Sequence, residues 1–323
     1  MKKPASKLER PVVKVVVTGA TGVIGRRVVP QLVAAGHNVT VMVRPGRSRR
    51  DATHIGTSVR EADLFNPESL RRVVAGHDVV INLATHMPPS SFRMLLRSSW
   101  RENDRIRSQG SANLATAAIG AGVPRFIQES FAPVYPDRGD SWIDEDTLIE
   151  PVAYNRTIAD AERSAERFST RGGIGIVLRF AQFYGADALQ TRDTIDLVRR
   201  GWAPMPGPPD AYVTSVSHAD AARAVSASIE LPAGIYNVAE DDPVTHRVYF
   251  DTLAAALHVA PPRLPPTWLT PLFGSAGEMM ARSTRVCNAK LKQLTDWTPK
   301  LPSVREAWPQ IVAELNMNHQ ARR

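Results

Sequence analysis

Apolar runs and amphipathic stretches alternate along the chain, and their spacing sets the fold class. Residues 12–18 form a valine-rich run closed by Gly19, the pattern of a strand buried on both faces. Val28, Val29, Leu32 and Val33 then recur at helical spacing, and Gly36 stops that helix, although Pro30 inside it removes one helical hydrogen bond. Residues 38–43 read as a second strand. Asn66 reads as an N-cap with Pro67 at the first helical position, followed by the stripe Leu70, Val73 and Val74 and the stop Gly76. Residues 79–83, 125–129 and 174–179 read as further strands. Between them lie one helix holding Gly110, Ala112, Ala115 and Ala118, and another that begins near Tyr154 and ends before Gly172. Strands alternating with helices predict an α/β fold, a doubly wound parallel sheet with right-handed crossovers.

After Gly185 the rhythm breaks. Residues 202–209 hold four prolines and residues 261–271 hold five, so both segments are predicted loops. Between them the pattern gives a strand near 212–216, a helix over 218–231, a strand over 235–238 and a helix over 245–258. The expected organisation is a disordered tail at 1–11, a dinucleotide-binding domain at 12–185 with 210–240 contributing, and a smaller C-terminal substrate lobe from 186–209 and 241–323.

The loop between the first strand and first helix carries the first chemistry. Gly19, Gly22 and Gly25 stand in a Gly-x-x-Gly-x-x-Gly spacing. Gly19 allows the tight turn, Gly22 lets backbone approach a pyrophosphate, and Gly25 lets the helix lie on the sheet with its N-terminus facing the phosphates. Thr21, Val23 and Ile24 complete the loop. In strand-loop-helix context this spacing predicts a Rossmann-type dinucleotide site.

Several later segments share in one pattern. They are Asp63-Leu64, Asn82-Leu83-Ala84, Leu178-Arg179 with Tyr184-Gly185, His218-Ala219-Asp220, Tyr236-Asn237-Val238 and Asp296-Trp297-Thr298-Pro299. Together with the glycine loop they make the chain resemble, over residues 12–312, the extended short-chain dehydrogenase/reductase superfamily, specifically its NAD-dependent epimerase/dehydratase family. The resemblance implies that Asp63 and Leu64 meet the adenine, and that Leu83, Ala84 and Thr85 line the cofactor. It also implies a homodimer. At the end of the second strand an NAD-type site would carry a carboxylate, but Arg44 stands there, with Arg47 three residues on. Guanidinium groups suit a 2′-phosphate, so NADP(H) is expected, with NAD(H) as the alternative.

The family's Tyr-x-x-x-Lys motif corresponds to Tyr154 through Ile158, so the tyrosine is kept as a catalytic and cofactor-binding candidate while the lysine is isoleucine. No lysine occurs between residues 15 and 289 to replace it. The family's serine or threonine position, four residues before Tyr135, is Phe131; adjacent Ser130 is the catalytic candidate, although strand alternation turns it to the other face. A phenol near pKa 10 is only about 0.1% phenolate at pH 7, so Tyr154 can give a proton but is a poor base. Reduction is therefore expected over epimerisation. His86, Glu129 and Tyr184 are candidate substrate contacts.

Composition narrows the classes further. With 43% hydrophobic and 22% charged residues the chain is globular, and no apolar run is long enough for a membrane span. The lysine-rich first ten residues lack the apolar core of a signal peptide, so a cytoplasmic location is expected. The net charge of +8 comes from scattered arginines without aromatic interleaving, which argues against nucleic acid as a partner. Cys287 is the one cysteine, the eight histidines show no metal-ligand spacing, and no metal is expected. The reading is an NADP(H)-dependent oxidoreductase reducing a carbonyl or activated double bond of a small metabolite. Its alternatives are a nucleotide-sugar epimerase or dehydratase, and a dinucleotide-binding regulator without turnover.

Overall fold

The computed structural model describes residues 12–46, 56–88, 91–94 and 96–320; the expected tail at 1–11 lies outside them. Seven parallel strands make the central sheet: β1 (Lys14–Thr18), β2 (Asn38–Val43), β3 (Thr57–Glu61), β4 (Val79–Asn82), β5 (Arg125–Phe131), β6 (Ile174–Phe180) and β7 (Gly234–Val238). Their order is β7-β6-β5-β4-β1-β2-β3, so the direction of winding reverses between β1 and β4. Val15 stands opposite Val39 on one side and Val79 on the other, and Asn82 stands opposite both Thr18 and Gln128. The inner strands are valine-rich because helices cover both faces, each buried aliphatic side chain being worth about 1.5–3 kcal/mol.

The strand β3 had no counterpart in the hydrophobic pattern. It is the edge of the sheet, paired only with β2, and its residues are half-buried or exposed apart from the contact of Val59 with the core. An edge strand is held by backbone hydrogen bonds to one neighbour, so it needs little apolar signal.

Helix α1 (Gly25–Ala34) buries Val28, Val29 and Leu32 and keeps Pro30 exposed, where the lost hydrogen bond faces water. Gly36, at φ +88°, closes it while the His37 N–H donates to the Leu32 carbonyl at 3.0 Å. Helix α2 (Pro67–Val74) starts as expected, with the Ser69 N–H donating to Asn66 Oδ1 at 3.0 Å, a cap worth about 1 kcal/mol. Helices α3 (Arg101–Arg105) and α4 (Ser111–Gly120) are one rod interrupted by a π-helical turn, Ile106–Gly110. Helix α5 (Thr157–Thr170) opens three residues later than its pattern suggested. Residues 153–156 form a turn held by Asn155, whose Oδ1 accepts from the Val152 N–H at 2.9 Å and whose Nδ2 donates to the Pro133 carbonyl at 3.0 Å. An asparagine that binds its own loop competes with the helix for those backbone groups.

Helix α1 and a later helix, α6 (His218–Ala227), pack on one face of the sheet over Val15, Val17 and Ile81; α2, α4 and α5 pack on the other over Val16, Val80 and Phe126. The short strand Ser215–Ser217 pairs with Gln182–Tyr184, β7 extends the main sheet, and Val216, Ala221, Val225, Tyr236 and Val238 pack in the first core, while Val213 packs in the C-terminal cluster. Tyr184, Ile195, Val198, Phe250, Leu253 and Trp308 build a separate apolar cluster in the C-terminal part of the chain. Among the described residues no helix is long and apolar enough to cross a membrane.

Candidate functional site

The loop from Thr18 to Gly25 lies at the carboxyl end of β1, beside the reversal of strand order. Gly19 sits at φ +69°, and a Cβ on it would come within 2.3 Å of the Leu83 carbonyl oxygen, so only glycine lets β1 turn against the loop after β4. A Cβ on Gly25 would lie 2.2 Å from the Gly19 carbonyl oxygen, which explains the third glycine as a packing requirement. Gly22 differs. A Cβ there would meet only the Gly19 oxygen, at 3.1 Å, with open space beyond. Thr21, Gly22 and Val23 form the exposed rim and Ile24 is buried beneath them. An open cradle of backbone at a helix N-terminus fits a pyrophosphate.

Asn82 ties this edge of the sheet together. Its Oδ1 accepts from Thr18 Oγ1 at 2.6 Å, and its Nδ2 donates to Ser111 Oγ at 3.1 Å and Gln128 Oε1 at 2.9 Å. One buried amide therefore joins β1, β4, β5 and α4, and the Ala84 N–H also donates to it at 3.3 Å. Leu83 is buried, Ala84 half-buried, and Thr85 and His86 exposed at the cleft. The His86 N–H donates to the buried Asn103 Oδ1 at 2.9 Å, which pins this loop to α3.

Beyond β2, Arg44 is exposed, and Arg47 lies outside the described residues. Asp63 follows β3 half-buried, with Oδ1 accepting from the Phe65 N–H at 3.0 Å; Leu64 is buried, and its carbonyl accepts from Asn113 Nδ2 at 2.9 Å. Arg26 and Arg27, in the first turn of α1, pair with Asp187, which also holds His218 Nδ1 at 2.9 Å. That cluster ties the phosphate-loop helix to the segment after Gly185. Burial and the two neighbouring arginines hold His218 down to about 3, so its ring is neutral at physiological pH.

The substrate end is made of side chains from distant parts of the chain. Tyr154, in the turn before α5, packs edge-on against Trp100 with ring centroids 5.0 Å apart. Burial pushes its phenol well above the ordinary tyrosine value, and the nearby Arg107 guanidinium pulls the other way. Ile158 is fully buried in the first turn of α5. Arg107, from the π turn, donates through Nη2 to Glu129 Oε1 at 2.8 Å, and both residues are buried. Neither Trp100 nor Arg107 stood out in the sequence, because no spacing links them to Tyr154 and the π turn that aims Arg107 has no pattern of its own. A charged residue at the end of a buried strand, Glu129, was the one signal that a partner had to exist.

Ser130 faces the other way, as strand alternation requires. Its hydroxyl donates to Glu162 Oε1 at 2.5 Å within a buried network in which Arg179 donates to both Glu162 oxygens, at 2.8 and 2.7 Å. Arg179 also donates to the Tyr135 hydroxyl at 2.8 Å, and that hydroxyl donates to Asn237 Oδ1 at 2.8 Å. Burial pushes the Tyr135 phenol up to about 12 against the pull of Arg179. The ring of Tyr184 belongs to the C-terminal core, 5.8 Å from that of Trp308. A separate cleft of about 710 Å³, lined among others by Asp137, Glu150, Thr270 and Arg282, includes none of the candidate site residues.

Comparison with known proteins agrees with this geometry. Residues 19–174 match a family model described as NAD(P)H-binding. The chain is 31% identical over 310 residues to a 3-diazoavenalumate denitrifying reductase from a Streptomyces species, covering 91% of this chain and 98% of that protein. Among solved structures, the UDP-glucose 4-epimerase of Thermotoga maritima with UDP-glucose superposes with a TM-score of 0.76 at 21% identity, over 95% of this chain and 99% of that one. A human epimerase family protein with NADPH superposes with a TM-score of 0.75 at 18% identity, over 94% and 100%. At these identities the two structures speak for the fold alone. The full-length relative, the family model and the phosphate loop together place the chain in the extended short-chain dehydrogenase/reductase family, among its NAD(P)-binding reductases, epimerases and dehydratases.

Proposed function

We propose that the chain is an NADP(H)-dependent reductase that delivers hydride to a carbonyl or activated double bond of a small metabolite, with Tyr154 as proton donor. The observation that carries this reading is the phenol of Tyr154, packed against Trp100 in the turn ahead of a helix that offers the buried Ile158 where a cation would stand, so that nothing on that helix draws the proton off. A neutral phenol can donate a proton to an oxygen that gains charge, but it cannot readily take one from an alcohol. Epimerisation starts with such an oxidation and is disfavoured for that reason.

Bound NADPH supplies the hydride. Gly19, Thr21, Gly22, Val23, Ile24 and Gly25 would hold its pyrophosphate, Asp63 and Leu64 would bind the adenine, and Leu83, Ala84 and Thr85 would line the middle of the site. The exposed Arg44, just after β2, would bind a 2′-phosphate and so favour NADP(H). Ser130 takes no part in this chemistry, its hydroxyl being given to Glu162 on the other face of the strand.

A second reading is favoured by the Streptomyces relative, whose name describes a reductase that removes nitrogen from a diazo acid. Hydride would add to the carbon bearing the diazonium group, the carbon–nitrogen bond would break, and dinitrogen would leave with the bonding pair. That step needs no oxyanion and no strong base, which matches a site without the lysine.

The test is NADPH oxidation followed by absorbance against a panel of ketones, enones and aryl diazo acids. Ketone or enone turnover supports the first reading, and NADPH consumption matched by dinitrogen release supports the second. Redox-neutral conversion of a sugar nucleotide would instead establish an epimerase, and tight NADPH binding without turnover of any acceptor would establish a regulator.

A further inference from the structure

Arg107 owes its place to the π turn Ile106–Gly110. The extra residue in that turn advances the side chain relative to a regular helix, and π turns commonly mark functional positions. Two hydroxyl contacts accompany the bulge: Ser108 Oγ donates to the Asp104 carbonyl at 2.7 Å and Ser111 Oγ to the Ile106 carbonyl at 3.4 Å. A second bolt fixes this rod to the Tyr154 turn. Thr157 Oγ1 donates to Asp104 Oδ1 at 2.8 Å, so residues three positions before Arg107 and three after Tyr154 are tied together. Trp100 lies against the Tyr154 ring, the 84–88 loop is pinned to Asn103, and Arg107 is near enough to act on the charge of the phenol, so one stretch of chain from Trp100 to Arg107 is tied to both the tyrosine and the loop.

The guanidinium is only partly used. Its Nη2 holds Glu129 Oε1, and its Nε is sequestered without a partner, as is Glu129 Oε2. Nη1 is not among the sequestered atoms and has no hydrogen-bond partner among the described residues, so it is the guanidinium nitrogen left open to solvent. Glu129 balances the buried charge in the absence of substrate, since an unpaired buried guanidinium costs far more than a paired one.

We propose that Arg107 is the oxyanion-binding residue of the site, its Nη1 edge holding the substrate oxygen that gains negative charge, with Glu129 as its positioning partner. This rests on the reductase reading and narrows its substrate class to compounds whose reacting carbon is a carbonyl or is conjugated to one, including enones and quinone-like rings. As hydride forms the new carbon–hydrogen bond, the carbonyl π pair moves to oxygen, Nη1 stabilises that alkoxide, enolate or phenolate, and Tyr154 then transfers its proton to it. The cation missing at Ile158 is thus supplied from another helix, by the turn Ile106–Gly110.

The probe is 4-nitrophenol, whose colour reports its ionisation, titrated into the NADP⁺ complex on the acid side of its own titration. The wild type should bind it as the yellow phenolate, and Tyr154→Phe should keep that preference. Arg107→Met should weaken binding at least about tenfold and return the bound probe to the neutral form, the loss expected for a charge-assisted hydrogen bond. Arg107→Lys should retain part of the preference. The double variant Arg107→Met, Glu129→Gln removes both charges and guards against misfolding by a lone buried carboxylate; it should behave as Arg107→Met does. Binding of the neutral phenol by the wild type, failure of its NADP⁺ complex to bind the probe, or equal phenolate binding by the folded double variant, would overturn this assignment alone. Failure of the wild type to bind NADPH or NADP⁺ would sink the reductase reading and the assignment with it.

Discussion

At the end we assign to the phosphates, consecutive residues from Thr18 to Gly25 shape the site with backbone. At the end we assign to substrate, Trp100, Arg107, Glu129 and Tyr154 come from separate elements and meet through side chains. The first end is limited by space: Cβ atoms on Gly19 and Gly25 would fall within 2.3 and 2.2 Å of backbone oxygens. The second is limited by charge, with a half-buried phenol near a buried guanidinium–carboxylate pair. A close-packed loop has few workable sequences, whereas a charge set can be rebuilt from another direction. That difference accounts for a chain with the full glycine loop and with Ile158 where the resemblance calls for a lysine.

The largest expected effect lies beneath the substrate end. Glu162→Ala leaves the Arg179 guanidinium buried without its carboxylate, and the expected loss is about 3–5 kcal/mol of folding stability. Chemical denaturation measures it, with Ser130→Ala alongside, which removes one hydrogen bond and should cost only about 1 kcal/mol. Equal losses for the two variants would show that the network is not organised around the ion pair. Next comes Gly25→Ala at the phosphate end. Its new methyl group meets only backbone, so the loop has to shift, at an expected cost of about 3 kcal/mol and with loss of NADPH binding. A stable variant with unchanged affinity would contradict the view that space governs this end.

Legibility in the sequence follows the same division. The glycine loop, β1, β2 and α2 were readable because their signals are local: a valine run, three glycines, an Asn-Pro start. The strand β3 was not, since an edge strand needs no apolar stripe. Tyr154 stands out through the resemblance to a Tyr-x-x-x-Lys motif, but its helix starts later than the pattern suggests because Asn155 spends its side chain on the preceding loop. Arg107 was invisible, as its role depends on a π turn and on a partner 22 residues away.

Two substitutions separate the proton donor from the cation. Tyr154→Phe should lower kcat by roughly 10² with NADPH affinity little changed, the usual scale for a lost general acid. Steady-state rates and cofactor titration check this together, and unimpaired turnover would move the proton donation elsewhere. Ile158→Lys should act in the opposite sense, improving alcohol oxidation more than carbonyl reduction by lowering the proton affinity of the phenol. Its oxidative pH profile should move to lower pH, by an amount corresponding to a rate gain of about tenfold near neutrality for each unit. Because position 158 is fully buried, the ammonium also costs roughly a few kcal/mol, which thermal melting would show. A folded variant with an unmoved profile would mean that Tyr154 is not the titrating group.

The smallest effect belongs to Arg44, and it sharpens the comparison because we assign this residue to the cofactor end yet expect it to act through charge. The side chain is exposed, so its contact with a 2′-phosphate is made in water and is worth less than the buried Arg107 contact. Arg44→Ala should weaken NADPH binding by about tenfold, in line with one charge-assisted hydrogen bond, and leave NADH binding unchanged. The gap should also narrow as salt rises, since the Debye length shrinks from about 10 Å at 0.1 M to about 3 Å at 1 M. No such salt sensitivity is expected for phenolate binding at Arg107, where burial shields the pair from ions. Calorimetric titration of both cofactors at low and high salt measures the effect. If Arg44→Ala weakens NADH as much as NADPH, the residue supports the loop rather than reading the phosphate, and the preference for NADP(H) loses its basis.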